Sequence, residues 1–344
     1  MSTMTRRPWA PVAVLAAGLL ALSACSSSDD SAGADETTAA GDWETVTIEH
    51  ALGEAVITEK PERIVTLGQG SAETAIALGT VPVGIEEYPW GSDDSGYLPW
   101  INEALTESGD ELPEQFTGTT ELDIEAIVAL EPDLILAPWS GVTQEQFDIL
   151  TDIAPTVAYE EEPWVITWQE QIQVIGEAMG QSEDAEQLIA DIDDQLASAA
   201  RPEYEGITFS YIYNTGPGSL GVFFPGEQRV AMVSALGLTV DPVIEELREY
   251  EVEGTDSASI GLENADKLAD SDLIFTFYSD EANRTEIESQ PLYQQIPAIS
   301  RGSVVAPTDQ PFVTGSSIIN PLTVPWALER FVPLIDEAVA QLDK

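Results

Sequence analysis

His50 is the only histidine in the chain and Cys25 the only cysteine, which closes off any chemistry that needs several of either. A Ser-His-Asp or Cys-His arrangement would have to be built around His50, and a His-rich zinc or manganese site cannot be built at all. His50 falls in the first β-rich run, where it reads as an edge histidine with satisfied nitrogens. Asp93-Asp94 and Glu160-Glu161-Glu162 have the residue types of a glycosidase acid and nucleophile or of a hard-cation site. With 62 Asp+Glu in the chain, however, acidic neighbours arise by chance. GPGSLG (216–221) has the spacing of a dinucleotide-binding glycine loop, but VFFPG (222–226) cannot open the helix whose N-terminus would hold a pyrophosphate. That stretch is expected to be a loop. The positive signal is aromatic. Tyr88, Trp90, Tyr97, Trp100, Trp139 and Trp164 fall at or near strand-to-helix connections of the first half of the chain, and Tyr213, Phe223, Phe224 and Tyr278 hold comparable places in the second. Such flat, amphipathic side chains suit a bulky, rigid, partly apolar ligand, whereas Trp43, Trp168 and Trp326 read as core packing. No residue is assigned a catalytic role or a resident metal.

Charge narrows the choice of ligand. Twelve Lys+Arg against 62 Asp+Glu leave a formal net charge of −50. Phosphate binding needs basic side chains to displace counterions, so nucleic acid is not an expected partner. A neutral or cationic ligand suits this field better than a polyanion.

These residues need a scaffold. The 344 residues allow about two domains of ordinary size. Arg6 and Arg7 precede an apolar stretch over residues 9–22 that is too short to span a bilayer, and residues 1–24 read as a cleavable export signal. Leu22-Ser23-Ala24-Cys25 resembles the lipobox of bacterial lipoproteins, which implies a lipid on Cys25 and an anchor on the extracytoplasmic face of the cell membrane. Residues 25–42 have no apolar side chain larger than alanine after Cys25 and read as a flexible tether. Beyond them short β-rich runs alternate with helical stretches, an α/β pattern. A hairpin is expected over 46–49 and 55–58, turning around Gly53-Glu54. Strands follow at 63–67, 81–85, 133–137 and 156–159, with helices at 71–78, 123–130 and 143–150. Helical sequence dominates 168–179 and, after a break at Gly180, 183–200, before a strand at 207–213.

The chain also repeats itself weakly. EAIVALEPDLILA (125–137) has a counterpart in ENADKLADSDLIFT (263–276), and Ala77-Leu78-Gly79 in Ala235-Leu236-Gly237. Two similar α/β halves joined by a long helical segment predict two facing lobes with a ligand between them. The expected organisation is a first lobe over 43–180, a linking helix over 181–202 and a second lobe over 203–344.

The runs PERIVTL (61–67), SAETAIALG (71–79), PVG (82–84), EAIVALEPDLIL (125–136), IAPTV (153–157) and PLTVPWAL (321–328), in that order, resemble the iron-siderophore substrate-binding lipoproteins of ABC importers. The resemblance implies a class III periplasmic-binding-protein-like fold, with two α/β lobes bridged by one long helix, little closure and the ligand in the cleft. It also implies a receptor and no enzyme, without a cofactor of its own because iron arrives as the siderophore complex, and an ABC permease as partner. Expected ligand-binding residues are Tyr88, Trp90, Trp139, Trp164, Tyr213, Phe223, Arg229, Tyr278 and Arg284. Family members that hold anionic catecholate chelates lean on basic residues, so the shortage of arginine favours a hydroxamate complex. In the family a glutamate in each lobe meets permease arginines; the first-lobe position is matched by Glu73, while Glu227 is the nearest acid in the second. A cobalamin or haem receptor on the same scaffold, or an exported carboxylate-dependent glycosidase, are the alternatives.

Overall fold

The computed structural model describes residues 43–118, 121–214, 218–252 and 255–342. The expected export signal, Cys25, the stretch expected to be a tether and part of the 216–221 glycine run lie outside them. Strands β1 (Val46–His50) and β2 (Gly53–Ile57) pair antiparallel with His50 opposite Gly53. The turn therefore falls on Ala51 and Leu52, and Gly53-Glu54 already belong to β2. His50 supplies the reason, because its Nδ1 accepts from the Leu52 N–H at 3.3 Å while its Nε2 lies 3.1 Å from the Thr156 carbonyl. The ring closes the turn and ties the hairpin to the first sheet.

That sheet holds β3 (Ile64–Thr66), β4 (Gly84–Glu86), β5 (Glu114–Phe116), β6 (Leu134–Leu136) and β7 (Thr156–Val157), all parallel, in the order β5-β4-β3-β6-β7. β3 and β6 are buried throughout, as strands covered on both faces by helices must be. The covering helices are α1 (Ser71–Ala77), α2 (Pro99–Ser108), α3 (Ile124–Ala129) and α4 (Gln144–Thr151). Neither α2 nor β5 is among the elements expected from the sequence. The chain leaves β3 in one direction for β4 and the other way for β6, and this reversal opens a crevice at the carboxyl ends of the two strands.

Two helices then carry the chain across, α5 (Trp168–Ala178) and α6 (Ser182–Ala199). They approach closely because Gly176 has no side chain; a Cβ there would lie 2.3 Å from that of Ala185. Ile175, Ala178 and Met179 pack into the core under β3 and β6, whereas Trp168, Ile172, Ile192 and Leu196 pack with Tyr204, Phe209 and Phe331 of the second lobe.

The second sheet centres on β8 (Thr208–Tyr213). β9 (Gly221–Phe223) pairs antiparallel with its end, β10 (Thr239–Val240) parallel with its start, and β11 (Ser257–Ser259) extends β9. On the other side β12 (Leu273–Phe275) and β13 (Val304–Val305) continue in parallel. The stretch read as a loop is thus in part strand β9. Helices α7 (Gln228–Ala235), α8 (Val243–Glu246), α9 (Glu281–Glu288), α10 (Pro297–Arg301), α11 (Gln310–Gly315) and α12 (Thr323–Val339) complete the lobe.

The sequence repeat is a structural one. Asp133, just before β6, accepts from the Glu62 and Arg63 N–H groups at 2.8 and 2.9 Å, and Asp272, just before β12, accepts from the Thr208 N–H at 2.9 Å. In each lobe one aspartate therefore pins the start of the central strand to its neighbour. Gly79 and Gly237 end α1 and α7 at φ +87° and +106°, a backbone region that a side chain disfavours.

The lobes meet a second time away from α5 and α6. The Trp100 indole of α2 packs edge-on against Trp326 of α12 at 5.2 Å, and Gly91 lies so close to Thr314 of α11 that a Cβ would come within 2.6 Å of its hydroxyl.

Candidate ligand-binding cleft

A cavity of about 650 Å³ lies between the lobes. Trp139, Trp164 and Glu170 come from the first lobe, and Phe223, Arg229 and Ser317 from the second. Trp139 sits just past β6, where the crevice of the first sheet opens. The β3–α1 loop can pass beneath it because Gly68, at φ +71°, would place a Cβ only 1.9 Å from the Trp139 carbonyl oxygen. The Trp164 indole meets Trp139 edge to face, 4.8 Å between centroids and 73° between planes.

The opposite wall is organised around Arg229. Its Nε donates to the Ser317 hydroxyl at 3.0 Å, its guanidinium pairs with Glu227, and its Cζ lies 4.9 Å from the Phe223 ring centroid and 5.7 Å from that of Phe277. Glu227 is the N-cap of α7 and accepts from the Arg229 N–H at 2.8 Å. Burial raises the Glu227 pKa and Arg229 opposes the rise; burial likewise raises that of Asp256. The same cavity is lined by Glu160, Glu161, Glu170 and Asp256. A single arginine, already paired with a carboxylate, thus faces several acids. Gln228 accepts from the Ile319 N–H at 2.8 Å, and its buried amide nitrogen has no hydrogen-bond partner among the described residues.

Of the expected ligand residues, the structure brings Trp139, Trp164, Phe223 and Arg229 together on this cavity. Tyr88 stands beside it, half-buried: burial raises its phenol pKa, and the charge of Arg229 across the lobe boundary pulls it back down. Trp90, 37% exposed, lies in the same loop. Tyr213 is behind the wall, its ring tilted 33° against that of Phe223 at 4.7 Å and its hydroxyl on Ser257 at 2.9 Å. Tyr278 and Arg284 are elsewhere. The Tyr278 hydroxyl is held by Tyr293 at 2.9 Å and Arg284 by Glu288 at 2.9 Å, and both line a separate depression of about 530 Å³ that includes Val304 and Val305 of β13. They follow the end of β12 as the sequence pattern suggested, but their rings and charges are spent inside the second lobe.

The two acids read as docking residues are also placed differently. Glu73 is 1% exposed. Its carboxylate accepts from the Trp100 Nε1–H at 2.8 Å and from the Gly70 N–H at 3.0 Å. A group so enclosed offers nothing to a partner's surface. Glu227 faces the cleft and is occupied by Arg229. Conversely, Gln228, Asp256 and Ser317 line the cavity with no distinguishing sequence signal, and Glu160 and Glu161, whose residue types suit a cation or glycosidase site, line it as well. Among the described residues no group of three or more His, Cys, Asp or Glu is placed to hold a metal ion.

Residues 64–311 match the family described as periplasmic binding protein. The chain belongs to that family. It is 26% identical to the probable siderophore-binding lipoprotein YfiY of Bacillus subtilis, over 87% of this chain and 90% of the relative, and 25% identical to the ferric enterobactin-binding periplasmic protein FepB of Escherichia coli, over 78% and 85%. Among solved structures, PiaA of Streptococcus pneumoniae in complex with ferrichrome superposes with a TM-score of 0.78 at 28% identity, covering 86% of this chain and 99% of PiaA. Two α/β lobes joined by the α5–α6 crossing are the class III arrangement of periplasmic binding proteins.

In this periplasmic binding protein Glu73 is a structural acid of the lobe contact, and that can be measured. Glu73→Ala leaves two buried donors unpaired and should lower folding stability by roughly 2–4 kcal/mol in urea denaturation. Burial raises the Glu73 pKa above its ordinary 4.5. The folded state therefore holds this proton more tightly than the unfolded one, so the contribution is complete below pH 4.5 and lost as pH rises through the folded value. Relative to Glu73→Gln, the wild type should lose stability over that rise. A Glu73→Ala urea midpoint equal to wild type would place the carboxylate outside.

Proposed function

We propose that this protein is a lipid-anchored receptor that captures a ferric siderophore of the hydroxamate type and delivers it to an ABC import permease. The observation that carries the ligand class is the cleft's charge: among the described residues Arg229 is the only cation lining it, and Glu227 already neutralises it. Triscatecholate iron complexes carry three negative charges, and desolvating them beside Glu160, Glu161, Glu170 and Asp256 is strongly unfavourable. Trishydroxamate complexes are neutral or singly positive. Ferrichrome, bound in the PiaA structure, is a trishydroxamate, while the FepB name points to a triscatecholate. The acids of this cleft favour the former. The aromatic wall of Trp139, Trp164 and Phe223 supplies flat apolar surface for such a chelate.

A lipid on Cys25 accords with the lipoprotein name of YfiY. No helix among the described residues is long and apolar enough to cross a membrane.

For delivery, the sequence repeat supports a pair of acids other than Glu73 and Glu227. Glu125 lies in the first turn of α3 and Glu263 in the first turn of the 3-10 stretch Leu262–Leu268; both are exposed, and they are repeat equivalents. Two related lobes thereby present the same charge at the same place to the two halves of a permease.

Ferric trishydroxamates should quench the tryptophan fluorescence with sub-micromolar affinity, stronger than about −8 kcal/mol. Trp139→Ala should weaken this by about 1–3 kcal/mol. A triscatecholate that binds tightly where every hydroxamate fails would refute the charge argument. The combined Glu125→Ala and Glu263→Ala variant should retain ligand affinity while siderophore uptake by cells falls, since rim charges act on partner encounter and not on the cleft. Normal uptake would show these acids to be surface charges only.

A further inference from the structure

We propose that Trp164 is the partition that sets how large a chelate the cleft accepts, an inference that rests on the siderophore reading above. The residue sits in a turn from Glu162 to Val165, where the Val165 N–H donates to the Glu162 carbonyl at 3.3 Å. Pro163 holds the second position and Trp164 the third, at φ +64°. Glycine is the residue this third position favours, because a side chain is strained at positive φ. Among the described residues only Glu131 shares such a φ without being glycine. The floor beneath the indole is equally particular. Gly141 lies against it, and a Cβ at Gly141 would come within 2.7 Å of the indole Cζ2. The turn and the floor both accommodate a tryptophan that neither needs, and 48% of its surface is exposed, so it is not anchored in a core.

What the indole does is separate two spaces. On one side is the interlobe cavity of about 650 Å³. On the other is a recess of about 240 Å³ in the first lobe, lined by Leu67, Leu122, Val142, Glu86 and Gln146, and Trp164 forms a wall of both. While the indole leans on Trp139 at 4.8 Å, a ligand in the cleft meets a closed wall. Compact chelates fit against that wall, and a chelate carrying an extra arm has nowhere to put it. Moving or removing the indole joins the recess to the cleft.

The test compares ferrichrome with a ferrichrome derivative that carries a bulky aryl group on its peptide ring, so that iron coordination is constant and only size varies. Affinities are measured by calorimetry for the wild type, Trp164→Gly and Gly141→Ala. Trp164→Gly relieves the strained φ and opens the wall; Gly141→Ala keeps the indole but pushes it from its seat. The wild type should prefer ferrichrome. Trp164→Gly should shift the affinity ratio by about tenfold or more toward the extended chelate without lowering Tm, a change equivalent to about 1.4 kcal/mol. Gly141→Ala should shift it in the same direction by less. An unchanged ratio in both variants overturns the partition. So does equal weakening of both chelates by Trp164→Gly with a lower Tm, which would make the indole a structural prop. A wild type that binds neither chelate overturns the siderophore reading itself.

Discussion

The α5–α6 pair belongs to two hydrophobic cores at once. Ile175, Ala178 and Met179 are packed under the first sheet, while Trp168, Ile172, Ile192 and Leu196 are packed with residues of the second. Any change in the angle between the lobes has to pull one of these clusters apart, and close-packed interiors resist such displacement. The contact of Trp100 with Trp326, braced from behind by the buried Glu73 carboxylate, fixes the lobes at a second place. A cleft whose walls come from two sheets keeps its shape only under such a constraint. Its binding surface is therefore largely preformed, and little ordering opposes ligand entry.

Within that fixed frame the acids set the local field of the cleft. The acids of the whole chain produce a long-range negative field, which solvent and salt screen. Those at the cavity act locally, and burial raises the pKa of Glu227 and Asp256, the sign of carboxyls kept from water. Arg229 is held in place by Glu227, Ser317 and two phenylalanine rings, so it presents an oriented donor without a net positive charge to the cavity. An arginine placed in this way keeps a fixed donor geometry at the cavity while the uncompensated charge there stays with the acids.

The sequence made the fold legible wherever chemistry and spacing coincide. Asp133 and Asp272 recur because each pins a central strand, and Ala-Leu-Gly recurs because both helices end on a left-handed residue. The hairpin turn lies two residues before Gly53-Glu54, because the His50 ring accepts from the Leu52 N–H and closes the turn there, whereas the glycine is the stronger turn signal in the sequence. Helix α2 is marked in sequence by Pro99 at its first position and Gly109 at its end but has no side-chain cap, and β5 is only three residues long. At the cavity, the positions of Trp139 and Trp164 past the strands are legible in the sequence. Tyr278 satisfied the same rule, yet lies 1% exposed against Tyr293, because strand ends say where a side chain starts and not which neighbour it meets. Glu73 failed for a related reason: its partner, the indole of Trp100, is 27 residues away in sequence.

The most direct test is a charge series on one chelate. Ferrioxamine B carries a single positive charge on a free ammonium remote from its iron; N-acetylation removes that charge and N-succinylation reverses it, with the hydroxamates untouched. Affinity measured at low salt should fall from the cationic to the neutral to the anionic form, by about tenfold from first to last, and the spread should narrow at high salt. Tightest binding of the succinylated form, or an order unaffected by charge, would contradict an acid-lined cleft as the basis of recognition.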